Sequence, residues 1–246
     1  MKTIFLCLAL ISVAVAQKPA LQKDRQVLFD FRVEDQKTPA KIAPATQKMV
    51  LSKVFRRYLT DANKCNFQGE LADDYLGAAR KAGQMVPSIA DVETGSFTAP
   101  GQTQTLYVID VSECNASHAD NFGTKRVAIF SGQQLVADVD ADFASDVLKK
   151  TDLNSDGVDE LLMTTGDMAQ GTLTEMASLV SFQNGRRKVI QDFGSVVLDS
   201  CASGFPHSTS EASVIYVSDG KITQENYSSG CTKRKRWRLV SRGKKE

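Results

Sequence analysis

The stretch Asp152-Leu153-Asn154-Ser155-Asp156-Gly157-Val158-Asp159-Glu160 carries side-chain oxygens at its first, third, fifth and ninth positions and a glycine at its sixth. That spacing suits a hard cation. In a tight loop alternate residues turn their carboxylates and amides inward, the glycine allows the sharp bend, and the residue at position seven offers its backbone carbonyl. The expected ligands are therefore Asp152, Asn154, Asp156 and Glu160 through their side chains and Val158 through its main chain. Calcium accepts about six to eight oxygens in flexible geometry, whereas magnesium demands a stricter octahedron and keeps more water, so calcium is the expected ion. Local charge points the same way. Between residues 138 and 160 eight acidic side chains stand against two lysines, a net of −6 that would repel itself without a counter-ion. The competing reading is a metal-free turn, because Asp, Asn and Gly close loops readily by side-chain to backbone hydrogen bonds. A second ion near Asp138, Asp140 and Asp142 lacks the glycine, and an exposed loop is expected there.

A helix-loop-helix site needs a bidentate glutamate at position twelve, but that position is Met163, and residues 160–164 have strand composition. The segment instead resembles the D-x-[DN]-x-D-G-x-x-[DE] calcium loop of FG-GAP and VCBS-type repeats, found in integrin-like β-propeller proteins, where the loop precedes a strand. The match is close over the loop and looser as far as residue 182, and one clear copy of the motif is present. The resemblance implies calcium as the cofactor, held by Asp152, Asn154, Asp156, Glu160 and the Val158 carbonyl, and a propeller-like sheet around it.

The elements that must position this loop are mostly strands. From about residue 88 onward short β-rich runs at 105–111, 126–130, 135–139, 160–164, 177–182, 188–193, 213–217 and 236–240 are separated by Gly, Asn, Asp and Ser, which predicts antiparallel sheet. A weak repeat pairs Ala128-Ile129-Phe130-Ser131-Gly132 with Val180-Ser181-Phe182-Gln183-Asn184-Gly185, and Val214 to Gly220 is expected to begin a third, degenerate unit. Repeats of this size suggest blades, yet a closed propeller takes about four to eight. The expected fold class is therefore α+β, predominantly antiparallel β, as an incomplete propeller-like sheet stack or a β-sandwich with two N-terminal helices. The helices are expected from Pro44 through Leu59, where Val50/Leu51, Val54/Phe55 and Tyr58/Leu59 recur every four residues, and over residues 71–82, ending at Gly83. Ahead of them Val27, Phe29, Phe31 and Val33 alternate like a strand.

The domain reading is residues 1–16 as a signal peptide, 17–87 as an N-terminal strand and helical region, and 88–246 as a β-rich blade-like domain with a basic C-terminal tail. Lys2, the apolar run 4–16 and the Ala14-Val15-Ala16 end predict export and cleavage after Ala16. The expected location is extracytoplasmic, secreted or periplasmic. Four cysteines then remain, Cys65, Cys114, Cys201 and Cys231, and an even count in an oxidising compartment suggests two disulfides. Three pairings are open; Cys65 with Cys114 and Cys201 with Cys231 is favoured because each would staple a contiguous segment.

At 42% hydrophobic and 24% charged, the 246-residue chain is too apolar for a disordered protein, and no apolar run is long enough for a membrane-spanning helix. No G-x-S-x-G, H-E-x-x-H, G-x-G-x-x-G or P-loop occurs, and the histidines, His118 and His207, lie in polar contexts, so no catalytic residue is nominated. Residues 233–246 carry a net of +7, read chiefly as a last strand with Trp237 and Leu239 facing the core. Asn115 and Asn226 sit in N-glycosylation sequons. The expected function is an exported, non-catalytic calcium-binding module whose metal structures a loop between β units and supports binding of a polysaccharide or another extracytoplasmic protein; nucleic acid is not expected. The alternatives are an extracytoplasmic polysaccharide hydrolase with a structural cation and a metal-free interaction protein using the basic tail.

Overall fold

The structure, a computed structural model, describes residues 25–33, 41–54, 88–110, 125–142, 144–218 and 220–243. The expected signal peptide, the helix over 71–82, Cys65, Cys114, His118 and Asn115 lie outside the described residues. Strand β1 (Gln26–Asp30) and helix α1 (Pro44–Val54) come first, followed by β2 (Ser88–Gly95), β3 (Gln104–Asp110), β4 (Lys125–Ser131) and β5 (Gln134–Asp140), a four-stranded sheet paired in sequence order. Then come β6 (Asp146–Thr151), β7 (Glu160–Ala169), β8 (Thr172–Ser181), β9 (Lys188–Asp199), β10 (Thr209–Ser218), β11 (Lys221–Gly230) and β12 (Arg238–Arg242). These also pair in order, and β1 joins them by pairing with β10, giving an eight-stranded sheet curled into a half-barrel. The fold is thus mostly antiparallel β, two sheets with one α-helix, and among the described residues no helix is long and apolar enough to cross a membrane.

Period-two burial sorts the apolar residues into three cores. On β3 and β4, Leu106, Val108, Val127 and Ile129 face the eight-stranded sheet, where Leu161, Met163, Val180 and Phe182 meet them. Their neighbours Tyr107, Ile109, Ala128 and Phe130 face the other way and receive Val50 and Leu51 of α1. β7 is apolar on both sides, as a strand between two packed layers must be: Leu162 points to the concave face, with Leu179, Phe193, Ala212 and Ile215. The repeated segments fall on hairpins, one on β4–β5 and the other on β8–β9.

β10 has two neighbours along one edge. Its residues Ser210–Ala212 pair with β9, while Val214–Val217 pair with β1, so the sheet forks and β1 fills the gap. The expected alternation of Val27, Phe29, Phe31 and Val33 does not persist through this strand. A register shift between Val27 and Phe29 turns Leu28, Phe29 and Phe31 together toward the concave core, and Val27 and Val33 are exposed. The strand stops where Asp30 Oδ1 accepts the Arg32 N–H at 3.0 Å and bends the chain. At the other end Trp237 packs on the concave core as expected, but Leu239 is 43% exposed, because β12 pairs with β11 across a bulge at Asn226/Tyr227 that breaks the alternation. Asn226 is buried and hydrogen-bonded to Ser213, Gln224 and Ser241, which leaves its amide closed to glycosylation. The disulfide Cys201–Cys231 is formed and ties the β9–β10 loop to the far end of β11.

Candidate metal site

The two sheets meet edge to edge at β2 and β6, and short polar contacts fasten the junction. Buried Asp91 on β2 accepts the Val147 N–H of β6 through Oδ2 at 2.8 Å and the Val92 N–H through Oδ1 at 2.8 Å. Lys150 Nζ donates to the Thr94 carbonyl. The Asp152 loop leaves β6 at this junction and leads into β7.

Inside the loop the side chains are turned toward the backbone. The Asp156 N–H donates to both Asp152 Oδ1 at 3.1 Å and Asn154 Oδ1 at 3.0 Å, so two of the expected ligand oxygens gather at one point. The Gly157 N–H donates to Asp152 Oδ2 at 3.0 Å and the Val158 N–H to Asp156 Oδ1 at 2.8 Å. Asn154 Nδ2 reaches Asp156 Oδ2 at 3.0 Å. The bend needs left-handed backbone at Ser155 (φ 57°) and Gly157 (φ 80°), and a Cβ on Gly157 would lie 3.1 Å from Pro100 Cβ. Glycine meets both demands.

Glu160, the ninth position, starts β7 on the same face as Leu162 and is 2% exposed. Its Oε2 accepts the Leu153 N–H at 2.9 Å, which closes the loop across its base. Burial raises the proton affinity of this carboxyl above the ordinary glutamate value, the Leu153 bond opposes the rise, and the charges of Asp156 and Asp152 add to it. A carboxylate in that position is short of positive charge.

Asp159 was not among the expected ligands, and the structure gives it a separate task. Its Oδ2 accepts the Ser96 N–H at 2.7 Å and its own N–H donates to the Ser96 carbonyl at 2.7 Å, fixing the loop to the β2–β3 turn. Gly95 makes room for this, since a Cβ there would lie 2.4 Å from Asp159 Oδ2. The turn itself is held by Gln104, whose Oε1 accepts the N–H groups of Phe97 and Thr98. Nothing in the local pattern around position eight signals that anchor, because its partner is 63 residues away.

The acidic run before the loop is less uncompensated than the local count suggests. Arg126 of β4 pairs with Asp138 at 2.7 Å, and Arg187 pairs with Asp142. Arg126 comes from the partner strand of Asp138 in the β4–β5 hairpin, and Arg187 from the segment just before β9. What remains near the loop is Asp152, Asp156 and Glu160.

The donor set fits calcium in kind: all the expected ligand atoms are oxygens, Asp152 and Asn154 share one focus, and Glu160 closes the base. Among the described residues, no three Asp, Glu, His or Cys side chains converge closely enough to hold an ion by themselves, so the Asn154 and Val158 oxygens would be integral to any such site. Comparison with protein-family models, with curated proteins and with solved structures finds no match.

Proposed function

We propose that the protein is an exported, non-catalytic calcium-binding module in which the ion rigidifies the loop joining the two sheets. Asp152, Asn154, Asp156 and Glu160 would hold it, with the Val158 carbonyl, and it would supply the positive charge that the buried Glu160 lacks. The observation that carries this reading is the position of Glu160, desolvated beneath a loop that brings Asp152 and Asp156 close enough to raise its proton affinity. A metal-free turn explains the loop's internal hydrogen bonds but gives no reason to bury a carboxylate under two others. The four-stranded meander β2–β5 reads as one propeller-like blade under the FG-GAP/VCBS resemblance. The Cys201–Cys231 disulfide suits an oxidising, extracytoplasmic location. The stiffened junction would support binding of a polysaccharide or a second extracytoplasmic protein.

Calorimetric titration with calcium tests the proposal. Expected are measurable heat and a raised melting temperature in the wild type, both lost in Asp152→Ala. No heat, no stabilisation, or a variant that behaves as wild type overturns it.

A further inference from the structure

The concave face of the eight-stranded sheet holds a cavity of about 450 Å³, within the range of roughly 300–1,000 Å³ usual for small-molecule sites. It is separate from the calcium loop. On β7 the concave-facing residues run Glu160, Leu162, Thr164, Gly166, and only Thr164 and Gly166 line the cavity; at about 3.3 Å per residue, Gly166 lies some 20 Å along the strand from Glu160. Val197 and Asp199 of β9 and Ser210 and Ala212 of β10 line the cavity where these strands pair, and β1, which takes over the pairing with β10 beyond Ala212, adds Phe29. Its apolar wall is Phe29, Phe31, Leu148, Val197 and Trp237, with the two phenylalanine rings 4.7 Å apart.

The charges around it are unequal in their commitments. Arg32 grips Asp30 through Nε at 2.9 Å and Nη2 at 2.7 Å, and Lys235 Nζ lies 2.5 Å from Asp199 Oδ2 and 2.8 Å from Ser210 Oγ. Each cation in the wall is therefore already neutralised. Asp146 on β6 accepts a bond from the neighbouring Ser145 hydroxyl at 2.7 Å and makes no ion pair among the described residues. Glu175 on β8 has no hydrogen bond or ion pair among the described residues. Burial and the Asp146 charge both raise its proton affinity, the behaviour of a carboxylate without a counter-charge. Directly across the ladder from Glu175 stands Gly166, where a Cβ would lie 3.6 Å from Glu175 Cγ, so the missing side chain leaves space beside the carboxylate.

We propose that this cavity binds a small organic ammonium ion with an aromatic or branched apolar body, its charged head against Glu175 and Asp146 and its body on Phe29, Phe31 and Trp237. Charge complementarity and the apolar wall select that ligand class together. A sugar would need several free donors and acceptors, but Arg32, Lys235, Ser210 and Asp199 are engaged with one another or with Asp30. An anion would meet two carboxylates that no wall cation balances. A neutral apolar molecule would leave the Glu175 charge buried without a partner.

The test is a titration of the full mature chain, with a chelator present so that the outcome is independent of calcium, using phenethylammonium, phenethyl alcohol and hydrocinnamate. The ammonium should bind at least tenfold more tightly than the alcohol, and the carboxylate not at all. Glu175→Gln should bring the ammonium down to the level of the alcohol while leaving the alcohol's affinity unchanged, which also shows that the variant has folded. Gly166→Val, which fills the space beside Glu175, should weaken both. Equal affinity for ammonium and alcohol, no binding of any probe, or an ammonium preference that survives Glu175→Gln overturns the proposal. Release of nitrophenol from nitrophenyl glycosides that depends on Glu175 also overturns it, in favour of a general acid in a polysaccharide hydrolase. Should Glu175→Gln lose its cooperative melt, Asp146→Asn replaces it with the same expected loss of preference.

Discussion

Glu160 and Glu175 lie on neighbouring strands, face the same side of one sheet and are both raised in proton affinity by burial, yet their surroundings differ in kind. Around Glu160 the neighbours come from its own loop: the Leu153 N–H holds one oxygen, and Asp152 and Asp156 supply the opposing charge. Around Glu175 they come from β1, β6, β9, β10 and the segment before β12. The first arrangement suits a small hard ion wrapped by contiguous chain. The second suits a larger guest received between distant segments. The same physical sign, a carboxylate pressed toward its neutral form, thus arises in two different settings, one local and one assembled from distant strands.

The comparison breaks most sharply with calcium. At a hundredfold excess over its dissociation constant the ion should stabilise the wild type by about 2.7 kcal/mol, read from urea unfolding, and Glu175→Gln should keep that gain while Asp152→Ala loses it. If Glu175→Gln also loses it, the two ends of the sheet are one site. Next in size is Gly95→Ala, whose added methyl must displace Asp159 from the Ser96 N–H; a loss of about 1–3 kcal/mol is expected, together with weaker calcium binding, because the loop loses its anchor to the other sheet. Asp91→Ala should cost a similar or slightly smaller amount, about 1–2 kcal/mol, by stranding the Val147 and Val92 N–H groups, and should leave the titration of phenethylammonium unaltered.

The smallest effect is the most diagnostic. A glutamate whose native proton affinity exceeds its unfolded value favours folding most when it is protonated. Its contribution is complete below the unfolded pKa and is lost as pH rises through the native one. In the metal-free protein these two carboxyls should therefore add stability as the pH falls from neutral, a rise opposed at lower pH by Asp30, Asp199 and Glu225, whose proton affinities are lowered. Glu160→Gln and Glu175→Gln should each flatten part of that rise and each stabilise the metal-free protein slightly at neutral pH. With calcium present Glu160→Gln should reverse sign and destabilise relative to wild type, whereas Glu175→Gln should not. Urea midpoints measured across pH, with and without calcium, separate these outcomes.

The loop was legible in the sequence because its contacts are local: alternate oxygens, a glycine and a following strand fall within nine residues. The apolar strands were legible for the same reason, with runs such as 105–111 and 126–130 lying within a residue or two of β3 and β4. β2, β6 and β11 carry no such apolar run and are not among the strands that the sequence predicts. Their sequences, SIADVETG, DVLKKT and KITQENYSSG, are polar, and part of their burial is achieved through hydrogen-bonded Asp91, Gln224, Asn226 and Ser229 instead of an apolar stripe. Period-two reading depends on such a stripe. The cavity was invisible for a further reason, since Phe29 and Trp237 become neighbours only through the fork in the sheet. Asp159 carries no local signal of its task, because the Ser96 N–H that it grips lies 63 residues away on the other sheet.

That fork has a temporal consequence. β1 is bound to β10, and Arg25 reaches Glu225 across a separation of 200 residues, so the half-barrel cannot be completed until nearly the whole polypeptide is available. Such distant pairing raises contact order and slows the final closure. Under the export proposed above, that delay would keep β1 without its partner until β10 had also crossed the membrane.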